Sequence, residues 1–290
     1  MKKLFYSLLI MAIAFTACDD DDGDDNMTGD LTLNFSGLEA LGDGFAYEGW
    51  LIVDGSPVST GTFSVNADGS LSQSSFSVAL GDLDNASTFV LSIEPSPDSD
   101  PDPAATKILM GDFSNGSASL TTSIVGDFSN AAGSFFLRTP TDESGENNGN
   151  DQYGIWFGDP GAPPTPNFVL PTLPEGWAYE GWVVGEEGPL TTGTFTEFNM
   201  ADNNDPFSEM TQAGPPVPGE DYFLNAPMGE TFPLDLRGRT VVISVEPVPD
   251  DSSAPFAMKP LVGTAGQETA PATHDLGMNL ESLPTGTASF

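Results

Sequence analysis

The chain has 290 residues, with 43 acidic against seven basic side chains and a formal net charge of −36. A field of that sign repels phosphate backbones and anionic headgroups, which excludes nucleic acid and acidic lipid surfaces as partners. A single cysteine excludes an intrachain disulfide, so stability rests on apolar burial, with 20 phenylalanines and many aliphatic runs as its material.

The first element in chain order is an address. Met1-Lys2-Lys3, an apolar run over 4–15 and Thr16-Ala17 before Cys18 have the layout of a secretory signal peptide. With Phe15-Thr16-Ala17-Cys18 as its lipobox, segment 1–17 resembles a bacterial lipoprotein signal, although Phe15 stands where Leu, Val or Ile is usual. The resemblance implies cleavage before Cys18 and lipidation of that residue with acyl chains such as palmitate, so that the protein holds the membrane through its N-terminal lipid. Residues 18–30, with aspartates at 19–22, 24 and 25, read as an acidic disordered tether. That run also resembles the surface-export signal of some lipoproteins. The expected location is the cell envelope, at the outer membrane, on its periplasmic or cell-surface face. No later stretch approaches the ~18 apolar residues of a spanning helix.

An internal repeat follows. Residues 46–63 read AYEGWLIVDGSPVSTGTF and residues 178–195 read AYEGWVVGEEGPLTTGTF, with ten of eighteen positions identical. Ser92-Ile93-Glu94-Pro95 with Pro97-Asp98 returns as Ser244-Val245-Glu246-Pro247 with Pro249-Asp250, and Lys107, Leu109 and Gly111 return as Lys259, Leu261 and Gly263. The spacing between copies grows from 132 to 152 residues, so the second copy carries about twenty extra residues. A period this long suits tandem domains rather than a solenoid.

Each copy reads as β throughout. Short β-branched and aromatic runs at 50–53, 60–65, 75–80, 88–93 and 107–110 are separated by turn chemistry such as Asp54-Gly55 and Asp68-Gly69. Further strands are expected at 119–125, 134–138 and 153–157, and in the second copy at 274–280 and 286–290. No second-copy counterpart of Gly154-Ile155-Trp156-Phe157 is visible. The fold class is therefore all-β, with two tandem antiparallel β-sandwich (immunoglobulin-like) domains over 31–159 and 175–290. A linker over 160–174, with six prolines, joins them, and an insertion near 197–239 marks the second. Tyr47, Trp50, Phe63, Phe76 and Phe89 are expected between the sheets. In the insertion, Tyr222, Phe223, Met228 and Phe232 offer either a binding face or packing for a long loop.

The repeated blocks carry a family resemblance. Tyr47-Glu48-Gly49-Trp50, Thr60-Gly61-Thr62-Phe63, Ser92-Ile93-Glu94-Pro95 and the Lys107-x-Leu109-x-Gly111 ending, with their second copies from Tyr179, Glu180 and Trp182 onward, resemble the C-terminal domain of anti-sigma-K factors. The resemblance implies a β-sandwich outside the cytoplasmic membrane. Regulators of that family hold a sigma factor through a cytoplasmic helical domain and cross the membrane once. Neither part is legible after Cys18, so the resemblance lends a fold and a side of the membrane.

Chemistry is sparse. Glu48 and Glu180, Glu94 and Glu246, and Lys107 and Lys259 are the ionisable residues that both copies retain. Paired carboxylates could perform acid–base work on a glycoside, but retention in both copies favours a structural role, a glutamate at a sheet edge answering Lys107 or a backbone amide. His274, the sole histidine, has no triad or zinc constellation around it and reads as a strand residue. Asp98, Asp100 and Asp102 are spaced as in a calcium loop but lack its glycine and bidentate glutamate, so calcium is a weak candidate and no other cofactor is expected. The expected function is non-catalytic: a lipid-anchored envelope protein with structural, adhesive or protein-binding work on an envelope protein or glycan. The alternatives are an extracytoplasmic sensor like an anti-sigma-factor module, and a hydrolase using Glu48 and Glu94.

Overall fold

The computed structural model describes residues 27–142, 149–209, 212–250 and 252–290; the signal segment, Cys18 and the run 19–25 lie outside them. Sixteen strands run in chain order: β1 Thr28–Ser36, β2 Phe45–Val53, β3 Ser56–Phe63, β4 Ser75–Ala79, β5 Ala86–Pro95, β6 Lys107–Asp112, β7 Ser117–Leu120 and β8 Gly133–Leu137 come first. β9 Gly154–Phe157, β10 Trp177–Val184, β11 Pro189–Phe195, β12 Gly219–Asp221, β13 Thr240–Pro247, β14 Leu261–Thr264, β15 His274–Met278 and β16 Thr285–Ser289 complete them. Among the described residues there is one short α-helix, α1 Leu80–Asn85 between β4 and β5, and three single 3-10 turns. Every named pairing is antiparallel, and the fold is all-β as its turn-punctuated strands predict. Among the described residues no helix is long and apolar enough to cross a membrane.

The two copies have one strand order. The second forms a continuous sheet, β11-β10-β13-β14-β15-β8-β9-β12. The first forms β3-β2-β5-β6 and β7-β16-β1-β4, two sheets bridged by Met110 and Thr121, between β6 and the residue after β7. Position for position, β10, β11, β13 and β14 repeat β2, β3, β5 and β6.

The pairing crosses the linker expected at 160–174. β8 and β9, expected to finish the first copy, pair in the sheet of the second, whereas β16, from the end of the chain, is inserted between β1 and β7 of the first. One unit is thus built from β1–β7 and β16, the other from β8–β15. This resolves the apparent lack of a second Gly154–Phe157 strand, because β9 is itself the second unit's equivalent of β1. Part of the proline-rich stretch also joins the sheet, with Val169 bridging Ala132 and the Asn167 Oδ1 accepting from the Ser134 amide at 3.1 Å. Sterics confirm the equivalence of the closing strands. A Cβ on Gly133 would sit 2.4 Å from the Phe168 ring, and one on Gly286 would sit 2.4 Å from the Phe35 ring. Those rings stack on Phe195 and Phe63, which in turn stack on Tyr179 and Tyr47.

Tyr47, Leu51, Phe63, Phe76, Phe89 and their counterparts join one apolar cluster that runs through both units. Trp50 and Trp182 do not. Lying three residues after Tyr47 on a strand of period two, Trp50 points to the opposite face of its sheet, where it is nevertheless buried.

Candidate functional site

The residues shared by the two copies meet on that outer face. Register places Glu48 opposite Ser92, and Glu94 opposite Ala46, so Glu48, Trp50, Ser92 and Glu94 share one side of two central strands. Both copies also carry a β-bulge beside the tryptophan, between Gly49 and Trp50 and between Gly181 and Trp182. The bulge aims Ser59 and Thr191 at their glutamates, and each hydroxyl donates to its carboxylate.

A relay follows in each unit. The Trp50 Nε1–H donates to Ser92 Oγ at 2.8 Å, Ser92 donates to Glu94, and Glu94 Oε1 accepts the Ala104 amide at 2.9 Å. In the second unit Trp182 donates to Ser244 at 2.8 Å, Ser244 to Glu246, and the Phe256 amide reaches both Glu246 oxygens at 2.9 and 3.1 Å. Tyr47 and Tyr179 each donate back eight residues, to the carbonyls of Glu39 and Pro171. The lysines answer carbonyls rather than carboxylates: Lys107 Nζ donates to Ala104 and Lys259 Nζ to Phe256. A glutamate answering a backbone amide is thus the expected arrangement, but it sits on central strands and not at a sheet edge. Glu94 and Glu246 are each 1 % exposed. These networks pin the loops after β5 and β13 across the face and satisfy polar groups that burial would otherwise penalise.

The second unit adds acids that sequence did not single out. β12 pairs with β9 and is buried throughout. Asp221 accepts from the Thr141 amide at 2.8 Å and from the Trp156 indole at 3.0 Å, while Glu220 accepts from Ser208 and the Phe207 amide. Burial, opposed by these donors, lifts Asp221 to about 7 and Glu220 to about 8. Asp202 rises to about 7 for the same reason, against the Gly219 and Asn204 amides. Burial likewise carries Glu246 to about 7, and Glu180 to about 8 with Glu246 and Asp250 adding to the rise. The only signal for these acids in sequence was their place inside the insertion. Its aromatics pack inward, with Phe207 stacked on Tyr222 at 5.5 Å and Phe232 edge-on to both.

Between the units lies a cavity of about 540 Å³ lined by Glu39, Phe45, Ile93, Glu246, Val248 and Phe256 among others. Glu39 reaches across it to the Ala257 amide near Lys259, and burial raises its pKa. His274 bridges two backbone groups, its Nδ1 accepting the Gly266 amide at 3.2 Å and its Nε2 lying 2.9 Å from the Glu268 carbonyl. Asp98 and Asp100 are exposed, each accepting the amide two residues on. Among the described residues no group of three or more His, Cys, Asp or Glu is arranged to hold a metal ion.

No curated protein and no solved structure matches this chain. Residues 24–108, which carry the first copy of the Tyr-Glu-Gly-Trp and Ser-Ile-Glu-Pro blocks, match the family model for the anti-sigma-K factor rskA, C-terminal, so the first unit contains a segment similar to that family.

Proposed function

We propose that the chain is a non-catalytic, partner-binding protein of the cell envelope, held to the membrane by lipid on Cys18. The supporting observation is the burial of the repeated glutamates. A general acid or nucleophile must reach its substrate, whereas Glu94 and Glu246 are enclosed by a serine hydroxyl and a loop amide. The match over 24–108 favours the alternative reading, an extracytoplasmic sensor or regulatory module like that of anti-sigma factors.

Two experiments test it. Cys18→Ser moves the protein from the membrane to the soluble fraction and abolishes incorporation of labelled palmitate; an unlabelled wild-type protein contradicts the anchor. A photo-crosslinking residue at Met228, 97 % exposed, yields a discrete adduct in intact cells, and Glu94→Gln leaves that adduct in place. Absence of any adduct contradicts partner binding.

A further inference from the structure

The insertion walls a further cavity in the second unit. It holds about 280 Å³, and Glu180, Glu246 and Asp250 all line it together with Thr191, Asn203 and Asn204. Glu180 is 5 % exposed, and while one of its oxygens accepts from Thr191, its Oε2 is buried and receives no donor from the described residues. The group it meets is the Asp250 carboxyl. Two carboxylates in contact need a positive charge between them, or a proton. Burial, with Glu246 and Asp250 adding to the rise, carries Glu180 to about 8. The repeat-related set in the first unit, Glu48, Glu94 and Asp98, has no Asn203–Asn204 segment over it.

Glu180 and Thr191 also line an adjoining groove of about 460 Å³, with Leu190, Phe207 and Met228 as apolar wall and Glu187 and Glu230 as further acids. A bare metal ion has no use for the apolar wall, and among the described residues the carboxylates are not arranged to hold one. A long side chain with a charged head uses both parts, its methylenes along the apolar wall and its head among the acids. The net charge of −36 attracts such a group from a distance.

We propose that this cavity binds a primary alkylammonium group, presented as the lysine side chain of a partner polypeptide. It rests on the partner-binding reading and adds the chemistry of recognition. The ammonium donates to Glu180 Oε2 and to Asp250, while the stem lies against Leu190 and Phe207.

The test is amide-resolved NMR titration of the full soluble chain carrying Cys18→Ser with the peptide acetyl-Gly-Lys-Gly-amide, its Nζ-acetylated form, n-butylamine and calcium chloride. The lysine peptide shifts the amides of Glu180, Asn203, Asn204 and Asp250, and the acetylated peptide does not. Glu180→Gln, which keeps the side-chain shape, weakens binding about tenfold or more, whereas Glu48→Gln leaves it unchanged; unaltered spectra elsewhere show that both variants are folded. Tighter binding of the peptide than of butylamine identifies a polypeptide source, and equal binding identifies the free amine. The site is refuted if the acetylated peptide shifts the same amides, if Glu180→Gln binds as wild type, or if calcium alone shifts them. A Met228 adduct in cells without ammonium binding would remove this site while leaving partner binding intact.

Discussion

At the scale of single residues, Trp50 illustrates how a polar relay and an apolar side chain share one position. Its indole fills the outer face of a central strand pair while its N–H starts the chain to Ser92 and Glu94. Trp50→Ala removes both and costs about 3–5 kcal/mol in chemical denaturation, and Ser92→Ala costs less because only the hydrogen bonds go. The buried acids set the pH response. Glu180, Glu220, Glu246, Asp202 and Asp221 keep their protons to about pH 7–8 when folded. In the unfolded chain such groups release them near 4 to 4.5. Between those values the folded state binds more protons, so stability falls as pH rises. The melting temperature is higher at pH 5.5 than at pH 8.5, and Glu220→Gln narrows the gap by raising it at pH 8.5; a melting temperature that climbs with pH contradicts the assignment. Glu48, Trp50 and Glu94 were legible because they recur. Asp202, Glu220 and Asp221 were not, since their burial depends on β12 pairing with β9 far back in the chain.

At the scale of elements, strand positions followed from turn chemistry and β-rich runs, but partner choice did not. β8 and β16 occupy equivalent places, yet beyond Gly133 and Gly286 their sequences differ: Ser-Phe-Phe-Leu against Thr-Ala-Ser-Phe. Nothing local tells a strand which sheet it closes. Phe290 fixes the outcome in the first unit, its amide donating to Gly116 at 3.0 Å and its ring meeting Phe113 edge-on. Removing residues 285–290 leaves β1 and β7 without their shared partner. Hydrogen exchange then accelerates at the amides of both strands, while β10 and β13 keep their protection; uniform loss over the whole chain would show that the units do not unfold separately.

At the scale of the molecule, two units of one strand order share a core, and their shared residues are the ones that hold the sheets and loops. A fragment cut at the apparent linker, residues 175–290, lacks β8 and β9 and is expected to aggregate, whereas residues 130–283 fold, as circular dichroism and gel filtration would show. What differs between the units is the insertion, with its cavities beside Glu180 and its exposed Met228. The repeat supplies architecture and the insertion supplies binding. This is tested most directly by placing the same photo-crosslinking residue at Met228 and at Pro57, the first-unit counterpart of the groove residue Pro189, in intact cells. A discrete adduct forms from Met228 and none from Pro57; equal adducts from both, or an adduct from Pro57 alone, would overturn that division.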